Sequence, residues 1–422
     1  MIVDKNIVQT ISKLNNEPEW LLKSRIEALS NSEGTLLKSS RRLDYSNFNL
    51  ENYNIINNGE IHFNKKYLDG KISSSIYEIT KRSSLIQIGK TFVSNFTAKD
   101  IIFKDIKTLL QENPSIFEKH FMNFFNNSHK DKLELFNYAL WQNGYFLYVP
   151  ENTEVEIPIQ NIFILNTDGK AIFLNNFIVL EKRSKVTFID SQLSYQTKEA
   201  SLVNNMLNVF IADDAQLDYI SIQEYDKNVN SINNKNFFLQ KDSRANWFEV
   251  VFGGKATKNS LEANLYHSGA EVYMQGLYFA GKDQQMEFNT AQMHHVGYTK
   301  SDLLYTGALK DNAITSYEGM IRVNQGAQKT DAYQKNKNLI LSREAHADSE
   351  PLLEILANDV RCTHGATVSP VDPEDLFYLM SRGLEEEIAK KLLISGFFSE
   401  VIQKIPVSEI KDAIQLHIEE NI

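Results

Sequence analysis

Five apolar residues, Val155, Val186, Leu217, Ala245 and Val272, each open an apolar stretch after a polar or small pair, and they stand 31, 31, 28 and 27 residues apart. Recurrence in this range marks a stacked array, whose units cannot bury an apolar face alone and so bury it on their neighbours. The stretches read as strands. Tyr145-Phe146-Leu147-Tyr148-Val149, Asn161-Ile162-Phe163-Ile164-Leu165 and Phe177-Ile178-Val179-Leu180 are short runs rich in aromatic and β-branched residues. Even turn spacing is also a property of sandwiches and barrels, so spacing alone leaves those open beside a β-solenoid. The β pattern continues through Leu339-Ile340-Leu341 and Leu352-Leu353-Glu354-Ile355 to Val368. That is long for one sandwich and favours the solenoid.

Both flanks have a different period. Residues 1–145 are mostly helical, with Pro18 in the first turn of a helix carrying Leu21, Leu22, Arg25, Ile26 and Leu29. Residues 40–80, rich in Asn, Ser and Tyr, read as irregular, and a second helical block runs from Lys99 to Gln142 with breaks at Asn113-Pro114 and Asn126-Asn127-Ser128. At Asp372-Pro373-Glu374-Asp375 an N-cap, a proline at the first helical position and two acids restart a helix, which Gly383 should end. A second helix is expected over Glu385–Ser395, stopping near Gly396, and a third from Ser408 through Ile410, Ile414 and Leu416. The expected division is a helical domain over 1–145, a β core over 146–370 and a small helical domain over 371–422.

The charges, 44 basic against 54 acidic and net −10, have the wrong sign for a protein that neutralises phosphates, so nucleic acid is not an expected partner. The single cysteine, Cys362, can form no intramolecular disulfide, which fits a reducing, cytoplasmic setting. The N-terminus MIVDKNIVQTISK has no apolar core of a signal peptide, and nowhere do 18 apolar residues run together, so neither secretion nor a membrane span is expected.

Most short motifs are weak. Ile88-Gly89-Lys90-Thr91 ends like a phosphate-binding loop, but the first glycine of that loop is replaced by Ser84. His294 and His295 are adjacent on a strand and so point to opposite faces, one inward and one to solvent, rather than to a shared ion. Tyr266, Tyr273, Tyr278 and Phe279 are expected to fill the solenoid. Cys362 and His364 differ, because residues two apart on a strand share a face. They make a soft two-ligand half-site suited to iron, copper or zinc, short of the usual four ligands. The competing reading is a cysteine packed as a small hydrophobe beside a satisfied histidine. A Cys–His hydrolase would need a third group to orient the base, and none is identifiable.

The blocks Tyr317-Glu318-Gly319-Met320-Ile321-Arg322-Val323, Gly326-Ala327-Gln328-Lys329-Thr330-Asp331-Ala332-Tyr333-Gln334, Asn358-Asp359-Val360-Arg361-Cys362-Thr363-His364-Gly365-Ala366-Thr367-Val368 and Leu376-Phe377-Tyr378-Leu379-Met380-Ser381-Arg382-Gly383 resemble the SufB/SufD family of iron–sulfur cluster assembly scaffolds. The likeness covers roughly residues 130–400. It is closer to the SufD-like members: SufB-like members carry a cysteine near Ala345 and a glutamate at Gly365, and this chain has neither. One departure is Ser369, where a glycine often follows the valine.

The resemblance implies a right-handed parallel β-helix flanked by helical domains, serving as a non-catalytic scaffold. It implies pairing with SufB through the β-helices, docking of the SufC ATPase on the C-terminal helices, and self-pairing of the lone chain through the same edge. No permanently bound cofactor is implied, only a transient iron–sulfur cluster or iron at the SufB interface. His364, with Cys362 second, would face that interface; Phe377, Tyr378 and Arg382 match the motif that opens the SufC-docking domain. An aromatic pair there could equally pack the domain onto the β-helix end. The rival class is a carbohydrate-active β-helix lyase or hydrolase. A glycosidase needs two facing carboxylates, and Asp213-Asp214 reads instead as a turn.

Overall fold

The structure, a computed structural model, describes residues 3–421 apart from 38–41, 56–63, 70, 82, 89, 90, 95, 97, 99, 128–130 and 167. Its centre is a β-solenoid in which the chain alternates between two parallel sheets. The first sheet runs from Ile159–Leu165 through Lys185–Ser194, Gln216–Tyr225, Arg244–Gly253, Glu271–Ala280, Lys300–Leu309 and Asp331–Ile340 to Arg361–Pro370. The second runs from Tyr145–Val149 through Ala171–Leu180, Ser201–Ile211, Val229–Leu239, Ala256–Leu265, Gln285–His294 and Ile314–Val323 to His346–Ile355.

The repeat in the sequence is the register of the first sheet. Val186, Leu217, Ala245 and Val272 are each the second residue of a strand, paired in one buried column. That column continues through Ser301 and Ala332 to Cys362, where smaller and more polar residues hide the repeat. Val155 lies outside the strands, packed partly against the same core.

Six corners leading into first-sheet strands hold a residue with positive φ: Arg183 (56°), Asp214 (58°), Asp242 (53°), Gly269 (78°), Tyr298 (61°) and Lys329 (62°). Left-handed backbone is unfavourable for most of these. The cost is offset by a ladder in which each corner N–H donates to a carbonyl of the next corner, as from Asp214 to Lys241 at 3.0 Å and from Tyr298 to Gln328 at 2.9 Å. Two corners of this column need a glycine: a Cβ on Gly269 would stand 1.8 Å from Asp242 Oδ1, and one on Gly297, beside Tyr298, 2.4 Å from Gln328 O.

The interior is filled by side chains. Trp247, Tyr219, Phe188, Phe237, Phe288 and Tyr317 are buried in it, and two carboxylates share it. Asp190 accepts from Asn161, Tyr145 and Tyr219. Glu249 accepts from Lys235 Nζ at 2.6 Å and from Tyr305 Oη at 2.8 Å, while Lys235 also donates to Ser221 and lies over the Trp247 ring. Inward glycines make room for the rings: a Cβ on Gly276 would meet the Tyr305 ring at 2.4 Å, and one on Gly307 the Tyr278 ring at 2.0 Å.

Helices cover both outer faces. Phe117, Phe121, Phe124, Tyr138 and Trp141 pack on Phe173, Phe177, Met206 and Phe238 of the second sheet, and the buried Arg25 stacks over Trp141 while pairing with Glu17 at 2.6 Å. Phe398, Val401, Ile402, Ile410 and Ile414 pack on Phe248, Val250, Leu277 and Phe279 of the first sheet.

Several local expectations are corrected. Ile102–Asp105 is a strand, antiparallel to Tyr145–Val149, not the start of a helical block. Residues 40–80 hold short helical turns at Tyr45–Phe48, Leu50–Asn52 and Lys65–Leu68 and a helix over Ile72–Thr80. The helix from Glu386 continues to Ile402 through Gly396, because burial of Phe398, Val401 and Ile402 outweighs the roughly 1 kcal/mol a mid-helix glycine costs. Of the four aromatics expected inside, only Tyr278 is; Tyr266, Tyr273 and Phe279 have the opposite strand parity and lie on the outer faces. Ser84 lies in the strand Ser84–Ile88, and Gly89 and Lys90 of the loop-like motif fall outside the described residues.

His294 points inward, with Nδ1 2.7 Å from Thr299 Oγ1 and Nε2 2.8 Å from Ser301 Oγ; its burial pushes the imidazole down to about 3. His295 faces outward, stacked at 4.4 Å on Tyr266. An unfolded imidazole takes its proton near 6.5, so between about 6.5 and 3 the unfolded chain binds a proton that the folded one refuses, and stability is lost as pH falls. His120 and His417, each pushed down to about 4 by burial, act in the same direction. His294→Gln is therefore expected to be less stable than wild type at pH 7.5, with a deficit that narrows from pH 6.5 to 4. Urea unfolding at stepped pH checks this, and a constant deficit would count against it.

Candidate functional site at the open end of the solenoid

The two ends of the solenoid differ. At one, Ser84–Ile88 adds to the first sheet, with Thr91–Ser94 beyond it, and Ile102–Asp105 closes the second. At the other, Arg361–Pro370 and His346–Ile355 pair on one side only among the described residues. Leu353, Ile355 and Val368 of this last rung, with Leu352 and Leu356 beside them, are exposed large hydrophobics. A strand edge beside apolar surface is a template for pairing with another chain.

Cys362 and His364 stand on this rung, registered on Ala332 and Gln334. The structure separates their environments. Cys362 is half-buried against Ile321, Val323, Ala332, Ala357 and Val360, and burial, with Asp331 nearby, raises its thiol above the ordinary value. Such a thiol is a poor nucleophile until a cation or metal favours the thiolate. His364 is exposed. Among the described residues no three His, Cys, Asp or Glu converge in a way that could hold a metal ion, so this chain offers two donors at most here.

Gln334, beneath His364, was not singled out in the sequence. Its Nε2 donates to Gly319 O at 3.1 Å, across space that a Cβ on Gly319 would fill. The signal was the inward parity of Ala332, Gln334, Asn336 and Asn338, which turns polar where the core should be apolar.

After the last strand, Asp372 caps the helix Pro373–Ser381 by accepting from Glu374 N at 2.8 Å. This helix buries none of its own residues. Phe377 is 73% exposed and Tyr378 56%, which removes the reading that they pack the helix onto the solenoid end. Arg382 holds Tyr378: its guanidinium lies 5.2 Å from the ring centre, and Nη2 donates to the hydroxyl at 3.3 Å. Met380 on the same helix, and Ile388 and Leu392 on the next, are exposed as well.

Asp213 and Asp214 occupy a corner, Asp213 paired with Lys182 at 2.9 Å and Asp214 in the left-handed turn. They do not face one another across a groove. Among the described residues no helix is long and apolar enough to cross a membrane.

Comparison with known proteins settles the family. Residues 163–397 match the profile of the SUF system FeS cluster assembly, SufBD core domain, and residues 19–161 match the SufBD protein N-terminal region. The chain belongs to the SufBD family. Among SufBD proteins it is 28% identical to the iron–sulfur cluster assembly protein SufD of Bacillus subtilis (strain 168), over all of this chain and 98% of that protein. It is 25% identical to a SufBD family protein of Staphylococcus haemolyticus (strain JCSC1435) and 26% to one of Staphylococcus aureus (strain MRSA252), in each case over 99% of this chain and 93% of the relative. The segment matched to the core-domain profile spans most of the solenoid and reaches into the C-terminal helices.

Proposed function

We propose that this chain is a SufD-type scaffold subunit of the cytoplasmic Suf machinery, without catalytic activity of its own, that pairs with SufB through the open end of its solenoid. The observation that carries this reading is the asymmetry of the ends: one is capped by the chain's own strands, and the other leaves two strand edges and apolar side chains uncovered by the described residues. Iron and sulfide are the cargo. His364, exposed on the last rung, is the group that would take up a proton or ligate iron; Cys362, half-buried with a raised thiol, is the second donor. The remaining ligands of a four-coordinate site would come from the partner. The uncovered helix bearing Phe377 and Tyr378, with Arg382 steadying the tyrosine, is the surface offered to the SufC ATPase. The lone chain would pair with itself through the same open rung.

The test is co-purification with SufB and SufC, followed by anaerobic cluster reconstitution. His364→Ala should assemble normally while cluster yield falls at least several-fold; normal yield would remove His364 from the mechanism. Phe377→Ala/Tyr378→Ala should lose SufC and keep SufB, and retention of SufC would refute that surface.

A further inference from the structure

Among the described residues, the long helices cover the outer face of the second sheet over its early rungs. The last ones carry Glu318, Glu350 and Glu354, interleaved with Met293, Met320 and Leu352, with Glu287 buried beside them under Tyr45. Glu318 and Glu350 are direct register partners on neighbouring parallel strands, an arrangement of like charges that costs stability. The cations of this face are already engaged: Arg42 on Asp348, Arg322 on Glu354 at 3.6 Å, and Lys258 near Asp131 at 3.8 Å.

A second observation points to a ligand. Glu287 is 6% exposed; its Oε1 accepts from Tyr45 Oη at 3.1 Å and from Asn289 Nδ2 at 2.8 Å, and its Oε2 is buried with no hydrogen-bond partner. The phenol of Tyr45 is itself held far above its ordinary value by burial and by the charges of Glu287, Asp131 and Glu318. Carboxylates thus converge from the sheet and from Asp131 at the start of the helix Lys132–Leu140; Asp131 and Glu354 face cations, while Glu318 and Glu350 face each other. The chain already seats one guanidinium on this face, since the segment carrying Arg42 also binds Gln285 through Asp44 N at 2.9 Å.

We propose that this acidic, methionine-bearing face is a docking surface for a protein segment that interleaves Lys or Arg with apolar residues. Cations would sit on Glu318, Glu350 and the unpaired oxygen of Glu287, and apolar side chains on Met293, Met320 and Leu352. The thioethers suit such contact because they repack at little cost. The surface adjoins the open end, whose last strand of the second sheet supplies Glu350, Leu352 and Glu354, and it is separate from the helix Pro373–Ser381.

The test uses the full chain and a fluorescent synthetic peptide of alternating lysine and leucine, read by anisotropy at low and high salt. Glu318→Gln/Glu350→Gln should weaken binding at least tenfold, whereas Glu154→Gln/Glu199→Gln, an equal charge loss on other exposed positions, should leave it unchanged. Equal weakening by both pairs would mean only a general attraction to a net acidic protein and would overturn the site, as would undetectable binding to wild type. An all-lysine peptide binding as tightly would overturn the apolar half. Removing the register clash should also raise the melting temperature of Glu350→Gln by about 1–2 °C; a fall would contradict the strain argument.

Discussion

Lys235→Met should cost this protein about 3–5 kcal/mol, the range for removing one partner of a buried ion pair. Lys235 and Glu249 have side chains 2% and 3% exposed and lie 2.6 Å apart inside the solenoid. Without the ammonium, Glu249 keeps Tyr305 and Asn259 as donors but loses its counter-charge in a place nearly closed to solvent. Ser221 loses its donor as well. The double variant Lys235→Met/Glu249→Leu should recover most of the loss, because an apolar pair of similar volume avoids the desolvation cost that the ion pair carries. Urea unfolding of the two variants decides the matter: a double variant as unstable as the single would show that the site needs polarity, not merely neutrality.

Gly307→Ala should be nearly as damaging. The new Cβ would stand 2.0 Å from Cε2 and 2.2 Å from Cζ of Tyr278. That ring cannot step aside freely, since it stacks on Phe288 at 4.3 Å and its hydroxyl donates to Asn338. Overpacking of this kind costs about 1–3 kcal/mol and at times more. The variant should fall at the upper end, about 3 kcal/mol. Tyr278→Phe should not relieve it, because the clashing atoms remain, whereas Tyr278→Leu should relieve part of it. Additive losses in the Gly307→Ala/Tyr278→Leu pair would refute the steric account.

These two sites mark what the sequence withheld. The column from Val186 to Val272 was legible because each rung repeats an apolar residue at a fixed distance. Beyond it, Ser301, Ala332 and Cys362 keep the register but not the chemistry, so periodicity fades while the backbone continues unchanged. Lys235, Glu249 and Gln334 are residue types found mostly at protein surfaces. What buries them is their strand parity, which a single slip of register would invert. Cys362 and His364 were legible as a same-face pair, yet only the fold shows that they stand on the last rung and that one is packed while the other is open. The corners were unreadable for another reason: residues as different as Arg183, Asp214, Tyr298 and Lys329 share one left-handed geometry, which the hydrogen bonds between corners stabilise. Phe377 and Tyr378 were legible as a motif, but their exposure was not, since a short amphipathic helix gives no hint of what it faces.

A solenoid packed with side chains behaves as a strut, not a pipe. Eight rungs of the first sheet, spaced about 4.8 Å apart, make a bar of roughly 34 Å between its outermost strands. The C-terminal helices are clamped along the outside of this bar by Phe398, Val401 and Ile414. A filled interior resists collapse, so a push on those helices would pass into the rungs they grip, up to Leu339. The last strand of the first sheet is the next one along, and whatever sits on it would feel that push with little slack between.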